Sequence, residues 1–199
     1  MAETLQFDHT KFFDAYRQVY GSLKQSQVDG IESLLGCIEA DPEVDDIRWA
    51  AYMLATVKHE CADTWRPIEE YGKGKGRPYG APVTVQGSDG VEYSRAYYGR
   101  GYVQLTWKEN YEKMGDALDL GDELLIHPEK ALEPETAYAI MSYGMRHGSF
   151  TGKKLGSYLN DDGCDYRNAR RIINGLDKCD LIKGYAENLE SFLNDSLIE

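Results

Sequence analysis

The chain has 199 residues, 42% of them hydrophobic, and a formal net charge of −12 at pH 7. This length and apolar content suffice for one domain with a buried core. The acidic excess argues against nucleic acid as a partner, because phosphate binding needs clustered Lys and Arg. The locally basic stretches are residues 73–77 and 167–171. We interpret the acidic excess of the chain as a charged surface exposed to solvent.

No apolar run is long enough to predict a transmembrane helix, and no membrane insertion is expected. The first six residues lack the basic and apolar segments of a signal peptide, which predicts a soluble chain made in the cytoplasm. The cysteines (Cys37, Cys61, Cys164 and Cys179) are expected to stay reduced in such a chain. They show no Cys-x-x-Cys spacing, and the four histidines are scattered, so neither a metal nor another cofactor is expected.

Two amphipathic helices are predicted first in the chain. Asp8 is placed to cap a helix from about 9 to 19, and Ser26 a second that ends before Pro42. Each helix has apolar residues at helical spacing, which predicts the face it buries. These faces are Phe12, Phe13, Tyr16 and Val19 in the first helix, and Val28, Ile31, Leu34, Leu35 and Ile38 in the second.

A third helix is predicted from about 45 to 61, and its middle, 49–57, is apolar nearly all round. Such a helix is buried rather than lying on the surface. Glu60 falls at the edge of this apolar stripe, beside Met53 and Val57, near the end of the helix. The negative end of the helix dipole disfavours a negative charge there, which suits a group that must hold a proton. A simpler interpretation is a helix-end carboxylate paired with Lys58 or Arg66.

The pattern changes between residues 64 and 95, where Gly and Pro interrupt any periodicity. Residues 83–85 and 91–93, joined through 87–90, predict a small β-hairpin. Helices are predicted again near 107–114, 134–147, 166–173 and 178–193. A long irregular middle between helical halves is unusual in a compact domain unless it is functional.

Carboxylates near this irregular segment suggest glycoside hydrolysis, which needs one protonated and one ionised carboxyl group. Glu60, beside an apolar helix, suits the acid. Its partner is expected on a less buried segment, where Glu69 and Glu70 are the nearest candidates. We favour Glu70 because Tyr71 and Gly72 begin the glycine-rich loop, but composition does not separate it from Glu69.

A second polar segment follows at 97–107, with the sequence YYGRGYVQLTW. Gln104 and Thr106 are two residues apart in what is predicted to be an extended run, so their side chains should share one side. An amide and a hydroxyl placed together can orient water and hold an acetamido group. The alternative is an ordinary strand in which Thr106 caps the helix that follows.

These segments together resemble glycoside hydrolase family 19, the chitinase and phage endolysin group of the lysozyme-like superfamily. The resemblance rests on His59-Glu60, the segment 98–106, Asn110-Tyr111 and the segment 172–175, which occur in this order. It extends from about residue 12 to 193. The aromatic-Gly-Arg-Gly segment followed by Gln-Leu-Thr is its most specific part.

The resemblance implies a mainly α, lysozyme-like fold, an α+β helical bundle of two lobes around a cleft with one small β-hairpin. It also implies an inverting mechanism in which Glu60 is the general acid, Glu70 the general base, and Thr106 helps to hold the attacking water. Inversion requires the two carboxyl groups to lie roughly 6.5–9.5 Å apart. The expected substrate-binding residues are Tyr98, Arg100, Gln104, Asn110, Tyr111 and Asn174, with Arg100 structuring the cleft rather than doing chemistry.

We expect residues 1–199 to form a single catalytic domain that acts as a monomer. The favoured function is cleavage of β-1,4 bonds in peptidoglycan by a phage endolysin or an injected effector, released to the cell wall by a holin or a secretion machine. The alternative is a chitinase acting on N-acetylglucosamine polymers, because both substrates carry the 2-acetamido group. An inactive carbohydrate-binding module on the same fold is less favoured, since both glutamates and the threonine are present.

Overall fold

A computed structural model describes residues 4–198. Its regular structure is mainly helical, with short antiparallel strand pairs. The α-helices are α1 (His9–Tyr20), α2 (Gln25–Glu39), α3 (Ile47–Glu60), α4 (Lys108–Ala117), α5 (Glu123–Ile126), α6 (Pro134–His147), α7 (Tyr166–Ala169) and α8 (Cys179–Ser196). The strands are β1 (Ile68–Glu69), β2 (Val83–Gln86), β3 (Glu92–Arg95), β4 (Arg100–Gly101), β5 (Leu159–Asn160) and β6 (Gly163–Cys164).

The chain forms two compact units. Among the described residues, the first unit comprises 4–65 and 142–198 and the second comprises 66–141, so that one boundary falls within α6. The first unit is built on the long helices α1, α2, α3 and α8. The second contains the hairpin β2–β3 and the pair β1–β4. That all 199 residues act as one catalytic domain stays a prediction.

Helix α3 is the centre of the first unit. Every residue from Ala50 to Lys58 is buried, as the apolar sequence of this helix predicts. Asp46 caps its start by accepting a hydrogen bond from the Arg48 backbone N–H at 2.8 Å. The helix ends at Glu60, so this carboxylate lies at the end of a rigid, buried element.

Several other elements lie where the local sequence patterns predicted them. Asp8 caps α1 as predicted, and Phe12, Phe13 and Tyr16 are buried. Helix α6 has the predicted bounds 134–147. The predicted hairpin is present as β2 paired with β3, with Val83 opposite Arg95 and Gln86 opposite Glu92.

Other predictions of local structure were wrong. Val19 is 53% exposed instead of lying on the buried face of α1. Helix α2 begins at Gln25 and not after Ser26, because the Gln27 side chain accepts a hydrogen bond from the Lys24 backbone N–H at 2.9 Å and starts the helix earlier. The pairs β1–β4 and β5–β6 add to the one hairpin that was expected.

The predicted helix at 166–173 was also wrong in length. Helix α7 ends at Ala169, and a 3-10 turn over Arg170–Ile172 follows it. Among the described cysteines, Cys37 is half-buried in α2 and Cys61 is buried just past α3. Burial raises the pKa of the Cys61 thiol to about 12.

Gly30 in α2 marks a close approach between two backbone segments. A Cβ at this position would lie 2.3 Å from the Trp65 carbonyl oxygen, whereas a Cβ at Gly36 in the same helix would meet nothing within 4 Å. We expect Gly30→Ala to lower the free energy of unfolding by about 2–3 kcal/mol, since the backbones must separate. Gly36→Ala should raise it by up to about 1 kcal/mol through helix propensity.

Urea unfolding of both variants beside the unmodified chain measures these effects. The matched pair separates the local clash from the general effect of Ala in a helix. If Gly30→Ala were as stable as the unmodified protein, the close approach of α2 to Trp65 would not belong to the native state.

Candidate active site

Glu60 is paired with a buried arginine. Arg170 Nη1 donates to Glu60 Oε1 at 2.6 Å, and the two side chains are 3% and 19% exposed. Arg170 Nε also donates to the Asp177 carbonyl at 3.0 Å, which fixes the guanidinium. The sequence-based alternative of a pair with Lys58 was wrong.

Lys58, in the last turn of α3, contacts a different set of side chains and holds this turn in place. Its ammonium donates to the Tyr16 hydroxyl at 2.8 Å and to Asp63 at 2.7 Å. It also lies 4.2–5.6 Å from the centres of four aromatic rings, which belong to Tyr16, Tyr20, Trp65 and Tyr185. Cation–π contacts of this kind are strongest when the cation is desolvated, and Lys58 is 6% exposed. The turn that carries His59 and Glu60 is therefore held firmly.

Asn174 lies close in the chain to this ion pair. Its backbone N–H donates to the Arg170 carbonyl at 3.0 Å, and its side-chain oxygen accepts from the Gly175 N–H at 2.8 Å. The side chain is exposed. Asn174 is thus positioned relative to Arg170, and through it relative to Glu60, within the first unit. Its binding of sugar stays a prediction.

The two candidate bases, Glu69 and Glu70, have different surroundings in the second unit. Glu69 accepts a hydrogen bond from the Tyr98 hydroxyl at 2.8 Å. Its carboxylate also lies 2.9 Å from the Lys73 ammonium and 3.9 Å from Arg100 Nε. The Lys73 ammonium, helped by the Tyr98 hydroxyl, lowers the pKa of the Glu69 carboxyl below its usual value. Glu69 is therefore a carboxylate that already forms ion pairs with Lys73 and Arg100.

Glu70 is bound by neutral donors instead. The Tyr79 hydroxyl donates to Glu70 Oε1 at 2.9 Å, and the Gly99 N–H donates to Oε2 at 3.1 Å. The hydrogen bond to Glu70 raises the pKa of the Tyr79 phenol. The ring of Tyr79 in turn packs edge-on against Trp107, with 5.3 Å between ring centres. Glu70 is therefore held in place without a close ammonium or guanidinium contact among the described residues.

Residues 102–104 form a turn, so the prediction of an extended run through Gln104 to Thr106 was wrong. Arg100 and Leu105 exchange backbone hydrogen bonds at 3.2 and 2.9 Å, and the chain between them reverses direction. Gln104 has a left-handed backbone, with φ of 54°, and so has Gly101, with φ of 89°. Side-chain alternation along a strand therefore does not relate Gln104 to Thr106.

Gln104 holds this turn against the strand that precedes Glu70. Its side-chain amide donates to the carbonyl of Ile68 at 3.0 Å and to that of Gly101 at 3.2 Å. A Cβ on Gly99 would lie 2.8 Å from Gln104 Oε1 and 3.3 Å from the Glu70 Cβ. Glycine at this position therefore lets Gln104 and Glu70 come close together.

Thr106 does not cap α4, which overturns the alternative interpretation of this residue. The residue before the helix is Trp107, with φ of 73° and no side-chain cap. Asn110 Nδ2 donates to the Thr106 carbonyl at 2.8 Å. Thr106 is half-buried, and its hydroxyl makes no hydrogen bond among the described residues, which leaves it available to another group.

Arg100 and Tyr111 form a buried support behind this surface. Arg100 is 5% exposed, its guanidinium lies 3.6 Å from the centre of the Tyr98 ring, and Nη1 donates to the Tyr111 hydroxyl at 3.1 Å. The Tyr111 hydroxyl donates to the Tyr98 carbonyl at 2.9 Å, and Tyr111 is fully buried. Both side chains brace Tyr98 from within, in a supporting position rather than at the surface.

The second unit contains Tyr98, Gln104, Thr106, Asn110 and the two glutamates, while Glu60 and Asn174 belong to the first unit. Sequence reasoning missed Arg170 and Tyr79 as partners of the candidate carboxylates. Arg170 lies in the basic stretch 167–171, whose sequence does not indicate a partner for Glu60. Among the described residues, no cluster of His, Cys, Asp and Glu could hold a metal ion, and no helix is long and apolar enough to span a membrane.

Comparison with known proteins gives the fold a context. No protein-family model matches the chain. A 39-residue segment is 46% identical to the acidic 26 kDa endochitinase of Solanum lycopersicum, and it covers 20% of this chain and 15% of that protein.

Solved structures match much more of the chain. Chitinase C from Streptomyces griseus is 21% identical, with a TM-score of 0.63 over 94% of this chain and 76% of that one. A bacterial family 19 chitinase is 24% identical, with a TM-score of 0.59 over 95% and 94% of the two chains. The chain therefore has the fold of the family 19 chitinases, and the predicted mainly α, lysozyme-like fold is confirmed.

Proposed function

We propose that this chain, which has the fold of the family 19 chitinases, is a glycoside hydrolase that inverts the configuration at the bond it cuts. The observation that carries the proposal is this fold combined with Glu60 at the end of its central buried helix, held by Arg170. A carboxyl group fixed through one oxygen on a rigid element presents its other oxygen in one defined direction, and a general acid must be positioned in this way. Glu70 and Thr106 supply the remaining groups that the reaction needs.

In the proposed reaction the proton of Glu60 passes to the glycosidic oxygen as its bond to C1 breaks. The oxygen of a water molecule forms a new bond to C1 from the opposite face. The proton that this water loses passes to the Glu70 carboxylate, and the Thr106 hydroxyl orients the water. The products are a free alcohol on one sugar and an inverted hemiacetal on the other, so atoms and charge balance.

We propose chitin-type N-acetylglucosamine polymers as the substrate, in place of the peptidoglycan that the sequence favoured. The endochitinase and both solved structures described above are named chitinases. Peptidoglycan shares the 2-acetamido group, so it is the second candidate. Delivery to a cell wall by a holin or a secretion machine stays a prediction.

Product analysis tests this function. The purified chain is incubated separately with a chitin hexamer and with purified peptidoglycan, and the products are identified by mass spectrometry and by NMR of the newly formed anomeric centre. We expect chitin fragments whose new reducing ends have inverted configuration. Muramic acid at the reducing end of peptidoglycan products would establish a muramidase instead, and a chain inert on both substrates would contradict the proposed hydrolase activity.

Thr106→Val tests the role of the hydroxyl separately. Valine keeps the shape of the side chain, and Thr106 is not a helix cap, so the melting temperature should change little. Turnover of the chitin hexamer should fall by about tenfold, the effect of losing one hydrogen bond of roughly 1.4 kcal/mol to the attacking water. A large loss of stability with unchanged turnover per folded molecule would show that Thr106 is structural.

A further inference from the structure

The first unit contains a pocket that the proposed reaction does not use. It has a volume of about 400 Å³ and is lined by Glu43, Asp45, Trp49, Arg146, His147 and Lys154. We call it the Trp49 pocket. Trp49 lies in the first turn of α3 and Glu60 at its end. The eleven residue steps from Trp49 to Glu60 span about 16 Å of helix, so the pocket is distinct from the place of Glu60.

The indole of Trp49 is held as a fixed platform in this pocket. Its Nε1–H donates to the Leu159 carbonyl at 2.9 Å, and the ring edge lies beside Gly156, where a Cβ would come within 3.7 Å. Trp49 is nevertheless only half-buried. A large aromatic surface that is rigid and partly exposed offers binding area at little cost in side-chain entropy.

Planar polar groups surround this platform. Arg146 is held by Ser142 and Glu43, at 3.2 Å and 3.4 Å respectively. The His147 ring stacks on Tyr143 with 4.1 Å between ring centres, and its Nδ1 lies 2.9 Å from the Tyr143 carbonyl. This use of Nδ1 leaves Nε2 free to bond a ligand.

The charged side chains of the pocket give no net attraction to an ionic polymer. Two carboxylates, Glu43 and Asp45, balance two cations, Arg146 and Lys154, when His147 is neutral. Among the ion pairs of the described residues, Asp45 and Lys154 take no part, so an acceptor and a donor remain available. A neutral ligand rich in hydroxyl and amide groups would use both.

We infer that the Trp49 pocket is a second binding site for the neutral N-acetylglucosamine polymer. This inference rests on the proposed function. The C–H face of a pyranose ring would pack on the indole, while its hydroxyl and acetamido groups would bond the planar polar side chains around it. A zwitterionic peptide would also be neutral overall, but the indole face would attract only its ammonium group, whereas a pyranose ring covers that face with its C–H groups. The pocket would hold insoluble polymer to the enzyme without taking part in the chemistry.

Binding is measured with the Glu60→Gln variant, so that insoluble chitin is bound and not consumed. Adding Trp49→Ala, or Asp45→Ala together with Lys154→Ala, should weaken binding to insoluble chitin by about tenfold, equivalent to 1.4 kcal/mol. The exposed double variant keeps the test valid if Trp49→Ala fails to fold. Lys153→Ala is the matched control, because Lys153 is exposed and adjacent but does not line the pocket, and it should bind as the parent does.

Activity is then measured with Glu60 restored. The pocket variants should hydrolyse insoluble chitin more slowly while kcat/KM on a soluble chitin tetramer stays unchanged. Unchanged binding to insoluble chitin by both pocket variants would overturn the inference, as would binding of a peptidoglycan stem peptide in place of the saccharide. Hydrolysis of the soluble tetramer by the unmodified chain tests the proposed function independently, so the two failures are distinguishable.

Discussion

Replacing Glu60 by Gln is expected to lower hydrolysis of a chitin hexamer by about 10³-fold, because an amide cannot donate the proton that the leaving oxygen needs. The fold should survive this change. The side-chain oxygen of glutamine can still accept the hydrogen bond that Arg170 Nη1 now donates to Glu60 Oε1 at 2.6 Å. Initial rates and thermal unfolding of the same preparation measure the two effects.

Glu60→Ala is the informative control for this variant. It removes the acceptor altogether and leaves the Arg170 guanidinium, 3% exposed, without its carboxylate. Removing one partner of a buried ion pair costs about 3–5 kcal/mol, so Glu60→Ala should be markedly less stable than Glu60→Gln. Activity of Glu60→Gln within a few-fold of the unmodified chain would refute Glu60 as the general acid.

Replacing Glu70 by Gln should also lower turnover by about 10²–10⁴-fold, because the attacking water loses its base. Glu69→Gln should cost far less activity. Glu69 is engaged with Lys73 and the Tyr98 hydroxyl, whereas Glu70 accepts hydrogen bonds from the neutral donors Tyr79 and Gly99.

Steady-state kinetics on the chitin hexamer compare the two variants, with unfolding curves as the control for stability. Glu69→Gln should lower the free energy of unfolding by less than about 1 kcal/mol, since its ion pair with Lys73 is partly exposed. A larger loss of turnover for Glu69→Gln than for Glu70→Gln would move the base to Glu69. Full activity of both variants would remove the pair from the mechanism.

The Trp49 pocket would also determine how the proposed enzyme holds an insoluble substrate. Helix α3 carries Trp49 at one end and the proposed acid at the other. One rigid, buried element would therefore fix the distance between a holding site and a reacting group. Rigid elements position functional groups more precisely than loops do.

Much of the helical framework could be predicted from the sequence because its signals are local. The cap at Asp8, the apolar middle of α3 and the bounds of α6 each depend on residues a few positions apart. The hairpin β2–β3 follows from two short β-prone runs joined by turn residues. The same local pattern placed Glu60 at the end of a buried helix, which made it a candidate in the first place.

The tertiary structure alone decided which groups hold the candidate carboxylates. Arg170 reaches Glu60 across 110 positions of sequence, and no periodicity within either segment encodes that pairing. The turn at 102–104 depends on the backbone hydrogen bonds between Arg100 and Leu105 and on the left-handed backbone of Gln104, so a local extended pattern was misleading there. Spacing along the chain predicts which residues share a helix or a strand, but contacts between distant segments arise only when the chain packs.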